Sequence, residues 1–116
     1  MIKVIGGTKQ QKEIATKVVE WFLKYFHRLL ANNVNIYVTL RPYVDCWGYC
    51  VEGSTEHSYR IMVVHEQSVR DFVATLVHEM VHVMQWETKE WTDDGEGECE
   101  RMQYMLADQL WNEGTI

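Results

Sequence analysis

Proline is almost missing from this chain of 116 residues, which holds one, and glycines number seven. So little of either leaves small scope for extended disorder. Basic residues are also scarce: 11 Lys and Arg against 17 Asp and Glu leave a formal net charge of −6. No basic stripe follows from that balance, and a nucleic-acid partner is disfavoured. No apolar run approaches the ~18–20 residues that cross a bilayer. Met1-Ile2-Lys3-Val4-Ile5-Gly6-Gly7 lacks the long apolar segment and cleavage site of a secretory signal. The expectation is a soluble, cytoplasmic protein without a membrane partner. The cysteines, Cys46, Cys50 and Cys99, are odd in number, which argues against a complete disulfide framework. Cys46 and Cys50 lie four apart with no second pair, and read as half-buried thiols on a strand.

What the chain does hold is the mixture of an ordinary globular protein, 47% apolar and 24% charged. Its length suits one domain over residues 1–116. Thr8 with Gln11 three residues on reads as a capping box. Ile14, Val18, Trp21, Phe22, Tyr25, Phe26, Leu29 and Leu30 follow at helical spacing, up to a stop at Asn32-Asn33. The period then changes. Val34 to Leu40 alternates as a strand, Tyr43 to Val51 is a second with Gly48 as a bulge, and Tyr59 to Val64 is a third. Short connections point to a small three-stranded, mainly antiparallel sheet. Ser68 caps a further helix running to about Trp86, with Asp71 in its first turn. A polar loop over 87–97 precedes a last helix from about Glu98 to Trp111. The fold class expected is α+β.

Residues 78–82 read His78-Glu79-Met80-Val81-His82. Two histidines four apart on a helix sit one above the other, so both imidazoles can reach one ion. Zinc takes such nitrogen donors and keeps an open position for water in catalytic centres. Glu79 lies about 100° around the helix from His78 and is placed to act as a general base. Phe72, Val73, Leu76, Val77, Met80, Val83 and Met84 form an apolar face, opposite His78, His82, Asp71, Thr75 and Gln85.

A catalytic zinc needs a third protein ligand, and no histidine follows His82. Glu100, Gln103, Leu106, Ala107, Leu110 and Trp111 share one side of the last helix, where small Ala107 permits close approach to a neighbour. Glu100 is therefore the first choice. Glu96, one turn earlier and in phase, is the second, at or before the helix start. Glu98 points elsewhere.

His78-Glu79-x-x-His82 followed by a glutamate on a later helix resembles the gluzincin zinc metallopeptidases. Glu100-x-x-Gln103-x-x-Leu106-Ala107-x-x-Leu110-Trp111 is similar to a stretch of ImmA/IrrE-type peptidases. The order of helix, small sheet, active-site helix and glutamate helix resembles the minigluzincins. The likeness covers about residues 57–111. It implies a zincin-like fold, one zinc per chain held by His78, His82 and Glu100, and hydrolysis of a peptide or protein substrate with Glu79 as base. It also implies that the third strand is the sheet edge beside the cleft, where a peptide adds as a strand. Tyr104, Tyr59, Tyr49 and His57 are the candidates for stabilising an oxyanion. The rival class is a non-catalytic, zinc-stabilised module that binds a protein through Trp86 and Trp91. A latent form, with Cys99 or the acidic loop blocking the metal, is a third reading.

Overall fold

The computed structural model describes residues 1–43 and 45–116. Seven elements follow in the order β1 (Ile2–Gly6), α1 (Lys9–Tyr25), β2 (Asn35–Arg41), β3 (Gly48–Glu52), β4 (Ser58–Val64), α2 (Val69–Thr88) and α3 (Glu96–Asn112). The α+β class holds, with three helices, but the sheet differs from the one expected. It has four strands in the order β1-β2-β4-β3. β1 and β4 both run parallel to β2, and only β3 is antiparallel, to β4.

Two corrections follow. Ile2–Gly6, unassigned in the sequence, is an edge strand paired with β2 through Ile2↔Ile36 and Val4↔Val38. Tyr59–Val64 is not the edge beside the helices but an interior strand. Its run Ile61-Met62-Val63-Val64 is buried throughout, and the strand is flanked on both edges, by β2 and β3. The edge is β3, which begins at Gly48 rather than Tyr43; Val44, inside that expected strand, lies outside the described residues.

The helices obey their caps. The Thr8 hydroxyl accepts from the Gln11 N–H at 3.1 Å while Gln11 Oε1 accepts from Thr8 N–H at 2.8 Å. α1 stops at Tyr25, earlier than its apolar periodicity, and a turn carries the chain to β2. Ser68 caps α2 by accepting from Asp71 N–H at 3.2 Å. Ile36, Val38, Ile61 and Val63 of the sheet meet Val18, Phe22, Leu76 and Met80 of the helices in one apolar core. No helix among the described residues is long and apolar enough to cross a membrane.

α2 ends on a carboxylate, which the helix dipole disfavours, and three segments compensate it. Glu87 accepts from Ala31 N–H at 3.0 Å, from His57 Nδ1 at 2.7 Å and from the Tyr59 hydroxyl. Two of the residues considered for an oxyanion role, His57 and Tyr59, are thereby committed to a clamp. The Glu87 hydrogen bond raises the His57 pKa, against the opposing pull of burial. Burial pushes Glu87 up, but the bonds from His57, Tyr59 and Ala31 outweigh it and hold the carboxyl below its ordinary value. Glu87's share of stability is thus present above about pH 4.5 and lost as pH falls through its lowered value. His57's share is present below about pH 6.5 and lost as pH rises through its raised value. Replacing His57 by Asn, which tolerates its φ of 60°, is expected to lower the melting temperature more at pH 6 than at pH 9. A difference that does not change between those two pH values would refute the clamp.

Candidate metal and catalytic site

α2 carries the site, and β3 and α3 flank it. The face of α2 that bears His78, His82 and Gln85 is polar in sequence yet not solvated, because α3 covers it. His78 and His82 are half-buried, and Glu79 and Gln85 are only 5% and 4% exposed.

The glutamate that meets the histidines is Glu96. His78 Nε2 lies 2.8 Å from one of its oxygens and His82 Nε2 lies 2.8 Å from the other. Glu100, the first choice from helical phase, is exposed. It has no side-chain hydrogen bond or ion pair among the described residues. The difference comes from where α3 starts. Gly95 takes the left-handed conformation, φ 81°, and the Asp94 carboxylate accepts from Glu96 N–H at 3.0 Å. The helix therefore opens at Glu96, two residues before its expected start, and Glu96 projects from a fixed first turn.

The other nitrogen of each imidazole meets a glutamine. His78 Nδ1 faces Gln103 Oε1, and His82 Nδ1 faces Gln85 Oε1 at 2.9 Å. The Gln85 amide is oriented by its other end, where Nε2 donates to Gly95 O and to Glu98 Oε1, both at 2.9 Å. Sequence reasoning gave these two glutamines no role. The signal was present: Gln85 is three residues after His82, and Gln103 is seven after Glu96, so each falls on the site side of its helix.

Each imidazole thus faces an oxygen at both nitrogens, while a neutral ring carries one proton. A proton or a metal ion between the two Nε2 atoms and Glu96 would match these acceptors. Ligands on tetrahedral zinc sit roughly 3.3 Å apart, given bonds of ~2.0 Å. The two nitrogen–oxygen spacings of 2.8 Å are about 0.5 Å short of that value.

Cys99 forms a second donor group with the same histidines. Its sulfur and one nitrogen each of His78 and His82 lie within 4.8 Å of one another, and such a cluster could hold a metal ion. The two groups differ in which edge of His82 they use. The sulfur is 3.6 Å from Nδ1, the edge that Gln85 occupies, whereas Glu96 takes Nε2. Burial pushes the Cys99 thiol up to about 12, with Glu96, Glu79 and Glu98 adding to it. The Cys99 sulfur and the Glu96 carboxylate thus approach His82 from opposite edges of its ring.

Glu79 projects toward β3. A Cβ placed on Gly48 would stand 2.9 Å from Thr75 Cγ2 and 3.1 Å from Glu79 Oε2. Gly48 is therefore no bulge but the point where the edge strand passes close over α2. Burial pushes the Glu79 carboxyl up to about 7, the charges of His78 and His82 opposing the rise and Glu96 adding to it. It makes no side-chain hydrogen bond among the described residues. It faces a cavity of about 480 Å³ whose walls include Trp47, Tyr104 and Gln103. Of the tyrosines considered for an oxyanion role, Tyr104 lines this cavity and donates to Asp71 at 3.0 Å. Tyr49 does not line it.

No protein-family model matches this chain, and neither a curated protein nor a solved structure does.

Proposed function

We propose that the chain is a zinc-dependent peptidase whose metal is held by His78, His82 and Glu96, with Glu79 as the general base. One observation carries the reading: two imidazoles with oxygen acceptors at both nitrogens converge on a single carboxylate. A metal ion at that point would satisfy those contacts as added protons would, and two nitrogens with one carboxylate form the donor set of catalytic zinc sites. When bound, zinc supplies Lewis acidity that polarises a carbonyl and lowers the pKa of water.

The remaining work falls to side chains of this chain. Gln103 and Gln85 accept the Nδ1 protons and leave both Nε2 lone pairs free for ligation. Glu79, beside His78 and open to the cavity, takes the proton of the attacking water and passes it to the leaving amine. β3, the free edge above Glu79, offers backbone groups to an extended peptide.

The test is metal content and hydrolysis in one protein. The purified chain is expected to hold about one zinc and to cut unfolded peptide substrates, with activity lost on chelation. Glu96→Ala is expected to weaken zinc binding by more than the roughly 10–100-fold that an outer-shell partner costs, while Glu100→Ala leaves it unchanged. Equal loss in both variants would overturn the ligand assignment. A zinc-loaded chain inert on every peptide would favour the protein-binding module instead.

A further inference from the structure

The geometry points to a cleft that selects peptides carrying a lysine or arginine side chain, held by Asp71 between Trp47 and Tyr104. The inference rests on the peptidase reading above and adds its substrate class. The cavity does not stop at Glu79. It runs back along α2 to Asp71, eight residues or roughly 12 Å toward the helix start. An extended peptide advances about 3.3 Å per residue. Allowing for the length of a basic side chain, Asp71 addresses a residue about two or three positions from the reacting carbonyl.

Away from His78, the walls carry carboxylates from Asp71 and Glu79 and neutral amides from Gln67 and Gln103, and no lysine or arginine lines the space among the described residues. Arg70 Nη2 pairs with Asp108 at 3.2 Å, and its guanidinium lies 5.2 Å from the Tyr104 ring centre, so that ring already takes a cation on one face. One Asp71 oxygen accepts from the Tyr104 hydroxyl at 3.0 Å. The other has no protein partner among the described residues and stands ready for an ammonium or guanidinium donor.

Two exposed aromatic rings complete the frame. Trp47, 53% exposed and set edge-on against Tyr43, stands on the β3 side, and Tyr104, 41% exposed, stands on α3. Two rings lining the same cavity as a carboxylate suit a long aliphatic stem ending in a cation, through apolar contact and cation–π attraction. An acidic side chain in the same place meets the like charge of Asp71. The net charge of −6 adds a general attraction for basic substrates.

The experiment uses the full chain loaded with zinc and carrying Glu79→Gln, so that binding is read without turnover. The probes are fluorescent alanine-rich peptides in which one lysine, or one glutamate, is walked along the sequence. At one position the lysine peptide is expected to bind about fivefold more tightly than its glutamate twin, by anisotropy at low salt. Adding Asp71→Asn is expected to bring that ratio close to one, and Asp71→Glu to keep it. A ratio near one in the starting chain, or one unmoved by Asp71→Asn, overturns the selectivity. If the wild-type chain cuts both peptide sets at equal rates, the peptidase reading stands and the selectivity falls. If it neither binds nor cuts any of them, both fall.

Discussion

Glu79→Gln is expected to lower peptide hydrolysis by a factor of about 10²–10⁴, the usual share of a positioned general base, while fold and zinc content stay as they are. The substitution is nearly isosteric, and shape matters here because Gly48 and Thr75 crowd the carboxylate. Glu79 accepts no side-chain hydrogen bond among the described residues, so the amide breaks none. Its proton chemistry is what disappears. A pH signature separates this from a packing effect. In the metal-free chain the folded carboxyl is raised from 4.5 to about 7. Its ionisation therefore costs stability as pH rises from about 4.5 through 7, and the cost is fully present above that window. Metal-free Glu79→Gln is thus expected to gain melting temperature relative to wild type at pH 8 and not at pH 4. Hydrolysis retained at the wild-type rate would remove Glu79 from the mechanism, whatever the melting curves show.

The part of this site written most openly in the sequence is the part set by one helix. A spacing of four places His78 and His82 together on any α-helix, and Glu79 must follow at about 100°. Which glutamate meets the histidines was harder to read, because it depends on a boundary. Glu96 and Glu100 are four apart and equally in phase. The choice between them turns on whether the helix starts before or after Glu96, which Gly95 and Asp94 decide through backbone conformation and a capping bond. Those residues lay in plain view within Asp93-Asp94-Gly95-Glu96-Gly97, but their roles as cap and left-handed entry emerge only with the chain direction through the loop.

The sheet shows the same limit on a larger scale. Alternation in Val34–Leu40 marks a strand whatever its partners. That β4 inserts between β2 and β3, and that Ile2–Gly6 closes the far edge, are matters of long-range pairing. The solid apolar run at Ile61–Val64 was the local trace of an interior strand. The glutamines fall between these cases: their phases are local, but their pairing with imidazoles needs α3 packed against α2.

Gly95→Ala should expose how tightly the proposed metal ligands and the fold are joined at that packing. The new Cβ would stand 2.3 Å from Gln85 Oε1, 2.8 Å from Cδ and 2.9 Å from Nε2, at a φ of 81°. The backbone conformation alone costs an alanine about 1–2 kcal/mol. Displacing Gln85, which is buried, also breaks its bonds to His82, Gly95 O and Glu98, at about 1–3 kcal/mol for groups left unsatisfied. A total near 3 kcal/mol corresponds to a fall of roughly 10 °C in a protein of this size. Zinc affinity is expected to drop with it by about 10–100-fold, since the displaced amide orients one ligand and the altered residue directly precedes another. Gly114→Ala is the control: φ there is 73°, also left-handed, but nothing lies within 4 Å of the added Cβ. It carries the backbone cost without the collision, and leaves zinc binding untouched. If the two variants melt alike and hold zinc alike, Gln85 is not the link between His82 and the start of α3, and the orientation of Glu96 must be set elsewhere.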